Sequence, residues 1–139
     1  MSEPKYDLLL VDAFSSDSIP VHLITNEACG IYRSMVTTDG VIAFHITNRF
    51  LNLEPVLASL ADQAEWAGFR YDFFDLAGGK AFDEQTGETV SSWVLMASDP
   101  AHLGTLNTDT HLRPLRAPAG QRVWTDDYSN LLSVFDWRF

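Results

Sequence analysis

Apolar and polar positions fall in blocks that predict the order β-α-β-α-β-β. Leu8-Leu9-Leu10-Val11 is a continuous apolar run bounded by Asp7 and Asp12. Its length and composition predict a short strand buried on both faces, as in a parallel sheet. A polar loop with turn formers follows, from Ala13 through Ser15, Ser16 and Asp17 to Pro20. Thr25 is placed to cap a helix, on which Ala28, Ile31, Tyr32, Met35 and Val36 recur at the spacing of one face. Thr37 to Gly40 stops that helix, and Val41 to Ile46 reads as a second strand. Asn52 and Glu54-Pro55 signal a second helix start. Its apolar face is Val56, Leu57, Leu60, Ala61 and Ala64, and Gly68 is read as its C′ residue. Phe69 to Leu76 is a third strand and Ser92 to Ala97 a fourth. The glycines at 78, 79 and 87 mark a loop or hairpin turn between them. Asp99-Pro100 opens a short helix. The remainder is irregular, with apolar anchors at Val123, Trp124, Leu131, Leu132, Val134 and Phe135.

Two βα units in succession imply parallel strands joined by right-handed crossovers. The last two strands have no helix between them, so they are expected to pair antiparallel. The expected fold is α/β: a partial Rossmann-like sheet of the SAM-methyltransferase type, mostly parallel, with an antiparallel C-terminal strand and helices packed on the sheet. The Leu8 to Val11 strand is apolar enough to be central, yet nothing precedes it to cover its other edge. A flat apolar edge is an association site. A homodimer, or a partner chain docking at that edge, is therefore expected.

Composition narrows the picture. The 139 residues suffice for one domain, and a 46% hydrophobic content supports a packed core rather than a disordered chain. A net charge of -10 argues against binding to a phosphate backbone, so no nucleic-acid partner is expected. No apolar run approaches the roughly 20 residues of a membrane span. The first five residues have no apolar stretch behind a basic start, so no signal peptide is expected either, and the expected location is cytoplasmic. The lone Cys29 can form no internal disulfide and reads as a small apolar helix residue.

Candidate chemistry follows from the fold. In open α/β sheets ligands bind beyond the carboxyl ends of the strands. Those ends carry Asp12, with Ser15, Ser16 and Asp17 in the loop, and His45, Thr47, Asn48 and Arg49. Asp12 and Asp17 are suited to bind an amine and take a proton from it, which requires hydrogen-bond reach. The plainer alternative is that Asp12 caps the loop. His45 is either an acid, a base or a hydrogen-bonded strand residue, and Arg49 is placed to pair with Glu54. A second polar cluster, Asp126-Asp127-Tyr128-Ser129-Asn130, either reaches back over the crevice or forms a turn. No spacing typical of metal ligands is present, so no metal is expected.

The segment Tyr6 to Pro20, with His22-Leu23 and Thr25 to Ala28, resembles the strand-loop-helix of spermidine synthase-like proteins (polyamine aminopropyltransferases). His45-Ile46-Thr47-Asn48-Arg49 with Leu53 to Leu57, and Trp124 to Asn130, are similar to the same family, particularly to a bacterial branch often fused to membrane segments. The resemblance implies attack of an amine such as putrescine on decarboxylated S-adenosylmethionine, with methylthioadenosine leaving. It implies that Asp12 deprotonates and orients the amine. Asp17 matches a second acidic residue, although Ser18-Ile19-Pro20 departs from the family's continuation. Ser15, Ser16, His45, Asn48, Asp126, Asp127 and Tyr128 are the remaining candidate substrate contacts.

In that family the glycine-rich nucleotide loop, the acidic ribose ligand and a β-domain with a substrate tyrosine come before the strand at Leu8. The expectation is therefore one truncated Rossmann-like domain over residues 1–139, lacking the nucleotide-binding half, with no independent catalysis and no cofactor of its own. Decarboxylated S-adenosylmethionine or methylthioadenosine would bind only if the site were completed, and a polyamine or nucleoside is the expected ligand. Two alternatives stand beside this: a transferase completed by dimerisation or a partner chain, and a small-molecule or protein-binding module on the same fold.

Overall fold

The computed structural model describes residues 5–14, 20–48, 51–73 and 91–135. In chain order its elements are β1 (Tyr6–Val11), a 3-10 turn (Val21–Ile24), α1 (Asn26–Met35), β2 (Val36–His45), α2 (Glu54–Ala64), β3 (Ala67–Phe73) and β4 (Ser91–Ala97). A 3-10 segment (Pro100–Thr108), β5 (Leu112–Pro114) and the short α3 (Leu131–Val134) follow. The strands form one open sheet in the order β1-β2-β4-β3-β5. The mixed α/β class and the predicted element order stand.

The expectation of a mostly parallel sheet does not hold for the pairings. β1 pairs β2 in parallel, whereas β2–β4, β3–β4 and β3–β5 are antiparallel. The reason is insertion. β4 lies between β2 and β3, so these two share a direction without touching. β5 was not foreseen. It is three residues long and ends in Pro114, which cannot donate to a ladder and suits an edge.

Each element forms for local reasons. Thr25 Oγ1 accepts from the N–H of Ala28, capping α1 as expected. α2 starts with the Asn52 side chain accepting from the Glu54 N–H and with a proline in its first turn. Its residues Val56, Leu57, Leu60 and Ala61 are buried on the sheet. α2 ends at Glu65, which adopts the left-handed conformation at φ 57°. Gly68 is therefore not the helix terminator expected from sequence. It lies in β3, where an added Cβ would stand 2.9 Å from Leu115 Cδ1 and 3.0 Å from Ala61 Cβ.

α1 also departs from its predicted face. Ala28 and Cys29 are buried, whereas Ile31 and Met35 are exposed, and Val36 is already the first residue of β2. The β-branched run Val36-Thr37-Thr38 extends the strand backwards instead of ending the helix in a loop. The extension is accommodated by a bulge: Tyr6 aligns with Val36, but Leu8 aligns with Val41. Gly40 sits in that bulge and is hemmed by Val36 Cβ at 2.7 Å and by the Thr37 and Tyr6 carbonyl oxygens at 3.0 Å.

The sheet has two unlike faces. On one, Val11, Ile42, Phe44, Val94 and Met96 pack with Val56, Leu57 and Leu60 of α2, Cys29 of α1 and the buried Trp124 and Val134. On the other, Leu103 of the 3-10 segment covers Ala43, Leu95 and Ala97. That cover includes no side chain of β1. Strand β1 is thus buried on one face only, contrary to expectation: Tyr6, Leu8 and Leu10 are 49%, 55% and 58% exposed. Of the C-terminal anchors, Trp124 and Val134 are buried but Leu131 and Leu132 lie on the surface. The glycine-containing segment at 77–88 lies outside the described residues.

Candidate functional site

The parallel register decides what meets at the carboxyl ends of β1 and β2. Val11 aligns with Phe44, so the next residues, Asp12 and His45, stand side by side. His45 Nδ1 lies 2.9 Å from Asp12 Oδ1, with the imidazole donating to the carboxylate. The carboxylate is open to solvent, at 59% side-chain exposure, while the imidazole is largely covered at 21%. Across the sheet, His45 faces Trp93 of β4, and the two rings stack with centroids 4.6 Å apart. The tryptophan holds the imidazole plane and so fixes the direction of its N–H. Asp12 Oδ2 meets no donor among the described residues.

The segment beyond β2 is built around its polar residues. Asn48 Nδ2 donates to the Phe14 carbonyl at 2.8 Å, and Asn48 Oδ1 accepts from the Leu51 N–H at 3.0 Å. Asn48 thereby ties the chain after β1 to the approach to α2. Thr47 Oγ1 accepts from the Ser92 N–H. Ser15, Ser16, Asp17 and Arg49 lie outside the described residues. Glu54 takes Arg70 at 2.7 Å and Arg113 at 2.7 Å. Asp72 completes this cluster by accepting from Arg70 Nε.

The second candidate cluster serves the start of α1. Asp126 Oδ1 accepts from Thr25 Oγ1 at 2.8 Å, and the Asp126 N–H donates to Glu27 Oε2. The Asn26 N–H donates to the Trp124 carbonyl. Thr125 and Tyr128 close a tight turn by exchanging backbone bonds, and the Arg122 guanidinium lies 3.8 Å from the Tyr128 ring centroid. Asp127 is exposed at the tip of that turn. The structure therefore gathers Asp12, His45 and Asn48 at the strand ends and uses Asp126 and Tyr128 to dock the C-terminal segment on α1.

Two features escaped sequence reasoning. Trp93 shows its role only through its cross-strand register with His45. At the opposite rim, Ser98, His102 and Asp39 fall in line: Ser98 Oγ is 3.2 Å from His102 Nδ1, and His102 Nε2 is 3.3 Å from Asp39 Oδ1. This resembles a nucleophile, base and acid. However, the Ser98 hydroxyl has the Thr38 carbonyl as acceptor at 3.0 Å, and Asp39 is 82% exposed. The group pins the 3-10 segment to β2.

Cys29 is buried, and that burial pushes its thiol pKa up against a smaller opposing effect of Arg33. A thiol so placed is a packing residue and not a nucleophile. Among the described residues no group of three or more His, Cys, Asp or Glu side chains is arranged to hold a metal ion, and no helix is long and apolar enough to cross a membrane.

In comparisons with known proteins, the chain matches no family model and no curated relative.

Proposed function

We propose that this chain is a spermidine synthase-like α/β domain that binds an amine at the Asp12–His45 rim without catalysing aminopropyl transfer by itself. The carrying observation is the 2.9 Å pair of Asp12 and His45 at the carboxyl ends of two parallel strands. Strands β1, β2 and β3 sharing one direction, with β4 inserted against it, support a Rossmann-like origin.

The chemistry follows from the geometry. An alkylammonium donates to Asp12 Oδ2 while His45 holds Oδ1. The exposed carboxylate is open to the approaching cation, and the acidic chain adds a favourable field. Among the described residues no glycine-rich turn joins a strand to a helix, and this reading is confined to the amine.

Calorimetric titration with putrescine, spermidine and methylthioadenosine tests it. Heat is expected for the amines and not for methylthioadenosine, and Asp12→Asn abolishes it. Flat heats for both amines would overturn the reading. Turnover with decarboxylated S-adenosylmethionine, lost in Asp12→Asn, would replace it with the completed-transferase alternative.

A further inference from the structure

The chain between β4 and β5 crosses the second face of the sheet, and two contacts between a histidine and a carboxylate hold it. His102 Nε2 lies 3.3 Å from Asp39 Oδ1 of β2. His111 Nδ1 lies 2.9 Å from Asp109 Oδ1, and Asp109 Oδ2 accepts from the Tyr71 hydroxyl at 3.3 Å. Between these clasps the 3-10 segment buries a single side chain, Leu103, against Ala43, Leu95 and Ala97. Residues 104–108 are exposed. Gly104 divides the buried half from the exposed half. It stands at φ 59° and ψ -130°, a conformation that favours glycine. A Cβ added there would meet nothing within 4 Å, so the backbone and not the packing asks for glycine.

We propose that the turn at 100–103 is a latch that lifts from the sheet as one unit, with Gly104 as its pivot, while the sheet stays folded and the Asp109 clasp stays closed. The turn is closed on itself. Asp99 Oδ1 accepts from the Ala101 N–H at 2.8 Å, and the Asp99 carbonyl accepts from the His102 N–H at 3.1 Å. It can therefore move without losing its own hydrogen bonds. Its ties to the rest of the protein are Leu103 and the His102 imidazole.

Magnitudes separate this opening from unfolding of the whole domain. Lifting the turn uncovers one leucine, worth about 10–100-fold in an equilibrium. It also parts His102 from Asp39 and Ser98. Asp39 is 82% exposed and Ser98 lies on the surface, so water replaces both contacts at little cost. The Ser98 hydroxyl keeps the Thr38 carbonyl as its acceptor throughout. Ile42, Phe44, Val94 and Met96 stay packed on the other face of the same strands. A segment with so few buried apolar contacts opens well below the global cost. Opening bares the floor of Ala43, Leu95 and Ala97 and loosens the cluster against which Trp93 packs. Trp93 in turn stacks on His45, so the latch is joined through one tryptophan to the imidazole at the rim. The latch stands on the geometry of its own segment and does not depend on amine binding.

Thiol labelling under native conditions tests the proposal, with Cys29 as the reference because it is buried on the opposite face. Ala97→Cys places a second thiol on the floor beneath Leu103. Once each rate is normalised to that in the denatured protein, the floor thiol is expected to react at least about tenfold faster than Cys29, and with a shallower dependence on urea. A floor thiol that reacts no faster than Cys29, or that follows the same urea slope, would overturn the latch. Adding Leu103→Ala is expected to speed labelling of the floor thiol about tenfold; an unchanged rate would also overturn it. Adding Val56→Ala, which weakens the other face, should speed Cys29 and leave the floor thiol as it was. Equal acceleration of both thiols by Val56→Ala would mean that the floor opens only with the whole domain. Circular dichroism checks each fold, and Ala43→Cys, on the same floor, carries the measurement if Ala97→Cys does not fold.

Discussion

Thr25 and Asp126 are joined by a 2.8 Å hydrogen bond that spans 101 positions of sequence. The same hydroxyl oxygen accepts from the Ala28 N–H, so one residue both caps α1 and docks the C-terminal segment. Thr25 is buried, and replacing it strands the Ala28 donor and unties the exposed Asp126 from α1. Thr25→Val is expected to destabilise the fold by about 2 kcal/mol. Thr25→Ser, which keeps the hydroxyl, should recover most of that in urea denaturation.

Glu54 links α2 to two strands through Arg70 and Arg113. Burial alone would raise its pKa, but hydrogen bonds and charge from Arg113 and Arg70 outweigh it and hold the carboxyl below its ordinary value. A carboxylate depressed in the folded state contributes stability above its unfolded pKa of about 4.3 and loses it as pH falls through the lower folded value. Glu54→Gln is therefore expected to be less stable than the parent near neutral pH. The gap should close on acidification below about pH 4, measured by denaturation at a series of pH values.

Gly30 and Gly40 should respond oppositely to alanine. An added Cβ at Gly30, inside α1, meets nothing within 4 Å, whereas at Gly40 it meets Val36 Cβ at 2.7 Å and two carbonyl oxygens at 3.0 Å. Gly30→Ala is expected to stabilise by about 0.5–1 kcal/mol through helix propensity. Gly40→Ala should cost about 1–3 kcal/mol, because the bulge between β1 and β2 has no room. Thermal melts of the two single variants check both signs.

His45 is a positioning residue for Asp12 in the proposed reading. His45→Phe retains a ring against Trp93 but loses the N–H that holds Asp12 Oδ1. The expected outcome is a putrescine affinity lowered about tenfold, with thermal stability nearly unchanged. His45→Asn supplies a neutral donor and should restore part of the affinity if orientation is what matters.

Residues with local causes were readable along the chain. The Thr25 cap, the Asn52 and Pro55 start of α2, and the Val41–Ile46 and Ser92–Ala97 strands follow from side-chain chemistry within a few positions. So does the meeting of Asp12 and His45, because two βα units force neighbouring parallel strands whose ends share a rim. What lay between elements was not readable. The Trp93 stack depends on β4 inserting beside β2, and the bulge at Gly40 depends on how far β2 extends to meet Tyr6.

The sequence by itself determined the α/β class, the order of the main elements and the carboxylate at the end of the first strand, since periodicity, caps and strand ends are local. Tertiary structure alone decided which faces of β1 and α1 stay bare. A leucine is apolar wherever it stands, and only the packing of the other elements leaves Leu8 and Leu10 uncovered while it buries Leu53 and Leu57. It also drew Asp126 to Thr25 instead of to the strand ends, because the buried Trp124 anchors that turn beside the start of α1.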